Sequence, residues 1–318
     1  MSRRYKAYQK QVKKYSYALF FMLLLSCKQQ GPRLVEMKVI GNYPSGSGLL
    51  FFKKSLYVIG DDASSLLKLD STFKKLDSLR LFPAQSRIPK ETKADIESIA
   101  FAQSNKKRLL LLFGSGSLQP YRNMMISIDE NSGEKKEYRL DTFYNRLRNA
   151  GLTDLNIEGS ASVPAFTVLA SRGSKGFTRN YLVFTSPRFW EKQDIAPIKL
   201  IKTGIQSDTT GFAGISGLDY SYATDQLLIT VSTENTQNSY DDGEIGKSYL
   251  WIVNDISAKR RMDAINPDRI IDLDEMDSRF KGHKIESVAI ISETGKHKEI
   301  VLVSDDDKGG TVLFRVML

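Results

Sequence analysis

Short apolar runs separated by polar turns fill the chain from about residue 33 to its end. The stretch 97–140 shows the pattern best. ESIAFAQ, RLLLLFG, NMMISID and KKEYRL read as four strands, with Asn105-Lys106-Lys107 and Glu130-Asn131-Ser132-Gly133-Glu134 as turns between them. The first two strands of this unit are almost continuously apolar, as strands covered on both faces must be. The fourth carries Lys and Arg in alternation, as an outer, half-solvated strand should.

The pattern repeats. Ile-Glu-small phrases occur in ADIESIAFAQ (94–103), LNIEGSASVP (155–164) and HKIESVAIIS (283–292), and weaker versions in SGSGLLFF (45–52) and GISGLDYS (214–221). The anchors are Ser47, Glu97, Glu158, Ser216 and Glu286, spaced by 50, 61, 58 and 70 residues. That is the spacing of propeller blades carrying insertions. Four strands follow each of the first four anchors and three follow the last. RLVEMKVI (33–40) is left to complete the last unit and close the ring, removing two exposed sheet edges. The pattern predicts an all-β fold: a single five-bladed β-propeller over residues 33–318, with short helical insertions. Six blades would need a further repeat, which is not found, and a pair of β-sandwiches would not give this regular self-similarity. LDTFYNRLRNAG (140–151) is expected to form a helix capped by Asp141 and stopped at Gly151. LDEMDSRFKG (273–282) repeats the plan with Asp274, Met276, Phe280 and Gly282.

The N-terminus is different. Six cationic residues between Arg3 and Lys14 precede the apolar run ALFFMLLL (18–25) and then LLSC (24–27). A run of eight is too short to span a bilayer, which takes roughly 20 residues, and it suits a secretory signal over residues 1–26. LLSC resembles the bacterial lipobox, in which the cysteine is exposed and lipidated. Cys27 would then be the lipidation site, residues 27–32 a tether, and the body an outer-membrane lipoprotein facing the periplasm. Cys27 is the only cysteine, so no disulfide is available. The chain carries 46 Lys+Arg against 37 Asp+Glu. Without the six leader cations the balance is 40 against 37, which gives no electrostatic reason to expect nucleic acid. The protein is expected to be a monomer, attached to the membrane through Cys27, with a small-molecule, glycan or protein ligand.

In a propeller the loops entering strand 1 and leaving strand 2 open on one face. The five anchors should therefore ring one channel mouth, with Asp61, Asp62, Glu234, Asp305 and Asp306 beside them and Arg172 as the most evident cation. The loop 236–248 would overhang with Asp241, Asp242 and Glu244. Two carboxylates about 8 Å apart repel by roughly 2 kcal/mol at an effective dielectric near 20. Such a rim must bind a cation, meet Lys or Arg, or hold protons through raised pKa values. Oxygen-only donors suit Ca²⁺ or Mg²⁺, and two histidines, His283 and His297, cannot build a His-rich zinc site. Each glutamate could equally accept backbone N–H bonds and tie neighbouring blades. Trp190 and Trp251 read as packing residues. A P-loop, a G-x-S-x-G elbow and H-E-x-x-H are all missing.

PSGSGL with LYVIGDD, IESIAF, IEGSA, GISGLDYS, and IESVAI with LVSDDD resemble a family of Gram-negative lipoprotein propellers. That family is related to the domain called "esterase-like activity of phytase". The resemblance spans about Ser45 to Leu318 and implies a propeller of metal-dependent phosphoester or ester hydrolase ancestry. The dense Lys/Arg phosphate cluster of a propeller phytase is not evident. The leading expectation is a divalent-metal-assisted hydrolase. Asp61, Asp62, Asp305 and Asp306 would hold the cation, Ca²⁺ first, with Glu97, Glu158 and Glu286 as acid or base and Ser47, Ser216, Arg172 and Glu234 binding substrate. The alternatives are a non-catalytic glycan- or protein-binding module and a glycoside hydrolase using two rim carboxylates.

Overall fold

The computed structural model describes residues 31–83, 89–104, 107–174, 176–204, 212–234, 245–295, 297–305 and 310–318. The signal segment, Cys27, Asp306, Asp241, Asp242 and Glu244 lie outside the described residues, as does the side chain of Glu234. Residues 33–318 form one compact unit.

That unit is a five-bladed β-propeller. The chain starts with β1 (Arg33–Ile40). It then builds blade 1 from β2 (Gly46–Phe52), β3 (Ser55–Gly60), β4 (Ser65–Leu69) and β5 (Lys75–Arg80). Blade 2 is β6 (Ile96–Ser104), β7 (Lys107–Gly114), β8 (Met124–Asp129) and β9 (Lys135–Arg139). Blade 3 is β10 (Ile157–Val163), β11 (Phe166–Ser171), β12 (Asn180–Thr185) and β13 (Lys199–Thr203). Blade 4 is β14 (Phe212–Ser221), β15 (Gln226–Glu234), β16 (Ile245–Val253) and β18 (Arg269–Asp272), and the short β17 (Ala264–Ile265) adds a parallel edge to blade 3. Blade 5 is β19 (Lys284–Thr294), β20 (His297–Asp305) and β21 (Thr311–Met317), with β1 pairing antiparallel to β21 from Arg33↔Met317 to Ile40↔Thr311. The N-terminal strand therefore closes the ring as the outermost strand of the last blade.

The burial order follows the patterning. β3 and β8 are buried at every position, whereas β5 and β9 are mostly exposed. Among the described residues the apolar core falls into five clusters, and each is the seam between two neighbouring blades. Leu110, Leu112 and Ile126 of blade 2 pack on Tyr57, Ile59 and Leu66 of blade 1. Leu111 and Phe113 pack on Leu169 and Val183 of blade 3, and the sequence continues round to Val301 and Leu313 of blade 5 against Val58 and Leu67 of blade 1. β1 feeds two of these seams through Leu34 and Ile40. Trp190 and Trp251 are buried packing residues, at 3% and 4% exposed.

Two helical expectations need correction. Helix α1 (Asp141–Asn149) forms, with Phe143, Tyr144 and Leu147 buried, and Gly151 follows it at φ +117. Its N-cap is Leu140 and not Asp141, whose carboxylate instead accepts from Asn123 Nδ2 and Arg139. A four-residue helix α2 (Ile256–Lys259) is a further insertion. The segment 273–282 does not make one helix. It divides into α3 (Leu273–Met276), capped by Asp272 rather than Asp274, and a 3₁₀ turn at Ser278–Phe280 capped by Asp277 in extended backbone. Two Asx-type caps within five residues outcompete a continuous helix, and Phe280 is still delivered to the core.

Candidate functional site: one mouth of the channel

The five anchors share a backbone feature that explains their spacing. In every blade the pairing of inner strand with second strand skips one residue at the anchor. The skips fall between Gly46 and Gly48, Ile96 and Ser98, Ile157 and Gly159, Ile215 and Gly217, and Ile285 and Ser287. Ser47, Glu97, Glu158, Ser216 and Glu286 are thus the extra residue of a β-bulge, the device that re-aims a side chain and bends a strand. The small residue after the anchor has its own reason. A Cβ on Gly217 would lie 2.6 Å from Ser287 Cα and 2.7 Å from Glu286 O, and one on Gly159 would lie 2.8 Å from Leu218 Cγ. Adjacent inner strands approach too closely there for a larger residue.

The side chains at those bulges do different work. Ser47 Oγ donates to Ser45 O (2.9 Å) and accepts from the Asp61 N–H (2.9 Å), and Ser216 Oγ donates to Ile285 O (2.6 Å) across the blade 4–5 seam. Both serines tie backbone. Glu158 accepts from Asn156 Nδ2 at 2.6 Å, and Glu286 pairs with Lys284 Nζ at 2.9 Å. Glu97 enters an acidic cluster: one carboxylate oxygen each from Asp61, Asp95 and Glu97 lie within 4.8 Å of one another. Asp95 holds a left-handed backbone (φ 54), an arrangement aspartate tolerates better than most residues.

Two cations that sequence reading passed over answer this charge. Lys93 Nζ bonds Asp61 and lies 3.1 Å from Asp95 and 3.4 Å from Asp62. Arg122 NH1 lies 2.6 Å from Asp95 Oδ2 and 2.7 Å from Ser117 Oγ, and Ser115 Oγ donates to the same Asp95 oxygen. The electrostatic consequences are unequal. Burial alone would lower Lys93, but Asp61, Asp95 and Glu97 outweigh it, so the ammonium is held well above its usual range. Burial pushes Asp61 up, and Lys93 pulls it back. Glu97 is raised well above the ordinary carboxylate range, first by burial and then by Asp95, Glu158 and Asp61, with Lys93 opposing. Part of the Glu97 surface nevertheless remains accessible. Glu97 is thus a partly accessible carboxyl whose neutral form is favoured.

The remaining predicted residues lie at or just past the ends of the second strands beside other bulges, outside the three-carboxylate cluster. Asp305 ends β20 opposite Lys284 and Thr311, and it is not one of the three clustered carboxylates. Arg172, 8% exposed, donates to Ser232 Oγ at 3.3 Å and lies where a Cβ on Gly214 would strike it, at the blade 3–4 seam. His283 Nδ1 is 3.1 Å from Ser304 Oγ, but Ser304 is fully buried in the second strand of blade 5. The signal that could have found Lys93 and Asp95 is KADIE itself. Alternation puts Lys93, Asp95 and Glu97 on one side of the chain entering β6. Arg122 carries no such signal, because its loop (114–123) returns to the site only through the fold.

Several solved structures share the architecture. The glutaminyl cyclase of Myxococcus xanthus superposes with a TM-score of 0.51 over 90% of this chain and 95% of its own, at 11% identity. A GH43 β-1,3-galactosidase bound to galactodeoxynojirimycin superposes with 0.51 over 86% of this chain and 90% of its own, at 10% identity. In a second GH43 β-1,3-galactosidase (0.50, 10% identity), the likeness covers 88% of this chain and 60% of the other. At these identities the likeness is one of fold alone. No curated protein matches the sequence significantly. Residues 42–318 match the Family of unknown function (DUF6929), nearly the whole propeller, and the chain belongs to that family.

Proposed function

We propose that the protein is a hydrolase of esters or phosphoesters acting at the bulge-lined channel mouth, with Glu97 as proton donor and Glu158 as the second carboxylate. The observation that carries this reading is Glu97 itself. A bulge turns it out of the strand ladder, its surface stays partly accessible, and its surroundings favour the neutral acid. A neutral carboxyl can protonate the departing oxygen, a step that contributes about 10²–10⁴-fold in rate. Glu158 sits at the same position of the next blade and raises Glu97 further. Lys93 and Arg122 fix Asp61 and Asp95 behind it.

The oxygen donors at Asp61, Asp95 and Glu97 match calcium in type. Lys93 already lies among them, however, so Ca²⁺ would enter only by displacing an ammonium. The proposed chemistry therefore rests on the carboxyl groups, and the resemblance to the phytase-like domain suggests the substrate class. The lipobox-like LLSC supports attachment of the body to the outer membrane, on the periplasmic side, through Cys27.

The test is a panel of alkyl esters, alkyl phosphates and alkyl glycosides, whose departing oxygen needs a proton, with and without chelator. Turnover of an ester or phosphate is expected to survive chelation and to fall about 100-fold or more in Glu97→Gln and in Glu158→Gln. Turnover confined to glycosides would move the assignment to a glycosidase. A second reading, a binding module without turnover, is favoured by the backbone-tying bonds of Ser47 and Ser216. It would be established by a glycan or protein ligand whose affinity ignores Glu97→Gln.

A further inference from the structure

The opposite mouth of the channel is built differently. A cavity of about 430 Å³ opens there, lined by the far halves of all five inner strands, 49–52, 99–101, 160–162, 218–220 and 290–293, and by Tyr222 just past β14. The size suits a small ligand. Its wall is apolar and aromatic. Phe52 stacks on Phe101 with centroids 4.3 Å apart, Tyr220 meets Tyr222 edge-on at 4.8 Å, and Tyr222 is 64% exposed.

Into this wall is set one carboxylate that no cation answers. Asp219 accepts from the Tyr220 N–H and from the Ile290 N–H of the next blade, both at 2.7 Å, and no lysine or arginine pairs with it among the described residues. The other acid of the cavity, Glu293, is held by Lys298 at 3.5 Å and by Ser221 Oγ. A carboxylate removed from water without a counter-charge is costly, and aromatic faces attract a cation. The two charged residues that line the cavity, Asp219 and Glu293, are both acids, and Lys53 stands 5.8 Å from the Phe52 ring at its edge.

We propose that this far mouth is a second binding site, distinct from the carboxylate mouth, that takes a small protonated amine carried on an aromatic body. The ammonium sits against Asp219 and the aromatic body against Phe52, Phe101 and Tyr222. Tyr222 also donates to Ser162 O (2.9 Å), bridging blades 4 and 3 at the rim. Burial pushes the Asp219 carboxyl up to about 7, with Glu293 adding to it while the two backbone N–H groups oppose. Affinity for the amine should therefore rise with pH through that range.

Calorimetry on the full chain in a non-ionic detergent, with tryptamine as probe and indole-3-propionate as its anionic counterpart, decides the matter. One tryptamine per chain is expected, bound at least about tenfold more tightly than the propionate, a difference of about 1.4 kcal/mol. Asp219→Asn should abolish that preference, and Ser292→Trp, at an exposed position on the cavity wall, should block both probes. Glu97→Gln should leave the binding unchanged, which separates this site from the hydrolase reading. Equal affinities for the two probes, no binding at millimolar tryptamine, or binding that persists in Ser292→Trp would each overturn the proposal. The last two criteria hold even if Asp219→Asn does not fold.

Discussion

Lys93 and Glu97 lie four residues apart in the chain and meet the same acids, and the fold favours the protonated form of each for a different reason. Lys93 is held as an ammonium because Asp61 and Asp95 are in contact with it, while the neutral form of Glu97 is favoured first by burial and then by repulsion from Asp95, Glu158 and Asp61. Removing one partner of a buried, hydrogen-bonded pair costs about 3–5 kcal/mol. Lys93→Met should therefore lower the melting temperature strongly, and millimolar Ca²⁺ should restore part of it by replacing the lost ammonium. The wild type should show no such shift. Melting curves with and without Ca²⁺ check this, and a wild type stabilised by Ca²⁺ as much as the variant would show that Lys93 does not hold the cation position. Two of these residues were read from the sequence, Glu97 as a repeat anchor and Asp61 at the exit of a second strand, and Lys93 was missed although alternation marks it. Arg122 was not readable, since nothing near it in sequence marks an ion pair with a residue 27 positions earlier.

At the scale of elements, the Ile-Glu-small phrase encodes a bulge followed by a close approach. A larger residue at Gly217 would collide with the backbone of β19, so Gly217→Val should cost about 1–3 kcal/mol or more through overpacking. Ser216→Ala should cost nearer 1 kcal/mol, the usual net value of one hydrogen bond. Chemical denaturation of the two variants would rank them, and the reverse order would remove the packing account of the small residue. Strand identities were legible because solvent on one side and a neighbouring blade on the other impose distinct patterns on inner and outer strands. Helix ends were less so. Asp141 and Asp274 looked like caps, but competing acceptors nearby, Asp272 and Asp277 for the second segment, took the backbone N–H groups. β17 was not foreseen, since its two residues pair with blade 3 only after the chain has completed most of blade 4.

For the whole molecule, stability lies in the seams. With five interfaces in a ring and no central core among the described residues, an open ring leaves an unpaired edge and an uncovered seam. Deleting residues up to Ile40 should therefore shift the protein toward aggregates on size-exclusion chromatography. Asp219 adds a pH signature. Its folded pKa, about 7, lies above the ordinary value of 3.8, so the folded state holds the proton more tightly than the unfolded chain. That contribution to stability is complete below 3.8 and is lost as pH rises toward about 7. Relative to wild type, Asp219→Asn should show a shallower fall in melting temperature across that window, and an unchanged slope would mean that the carboxyl is not buried as described.

The sequence by itself determined the number of blades, the order of strands and the closing role of residues 33–40, because apolar periodicity and repeat spacing are local properties written into the chain. It also marked the five positions at one mouth. What those side chains do was decided only by the tertiary structure, since charge state and bonding depend on neighbours brought from distant blades. That is why Ser47 and Ser216 became backbone ties, Glu286 an ion pair and Glu97 a candidate acid from nearly identical phrases. The aromatic cavity at the other end was equally invisible, because its five contributing segments are ordinary apolar strand ends until the ring brings them together.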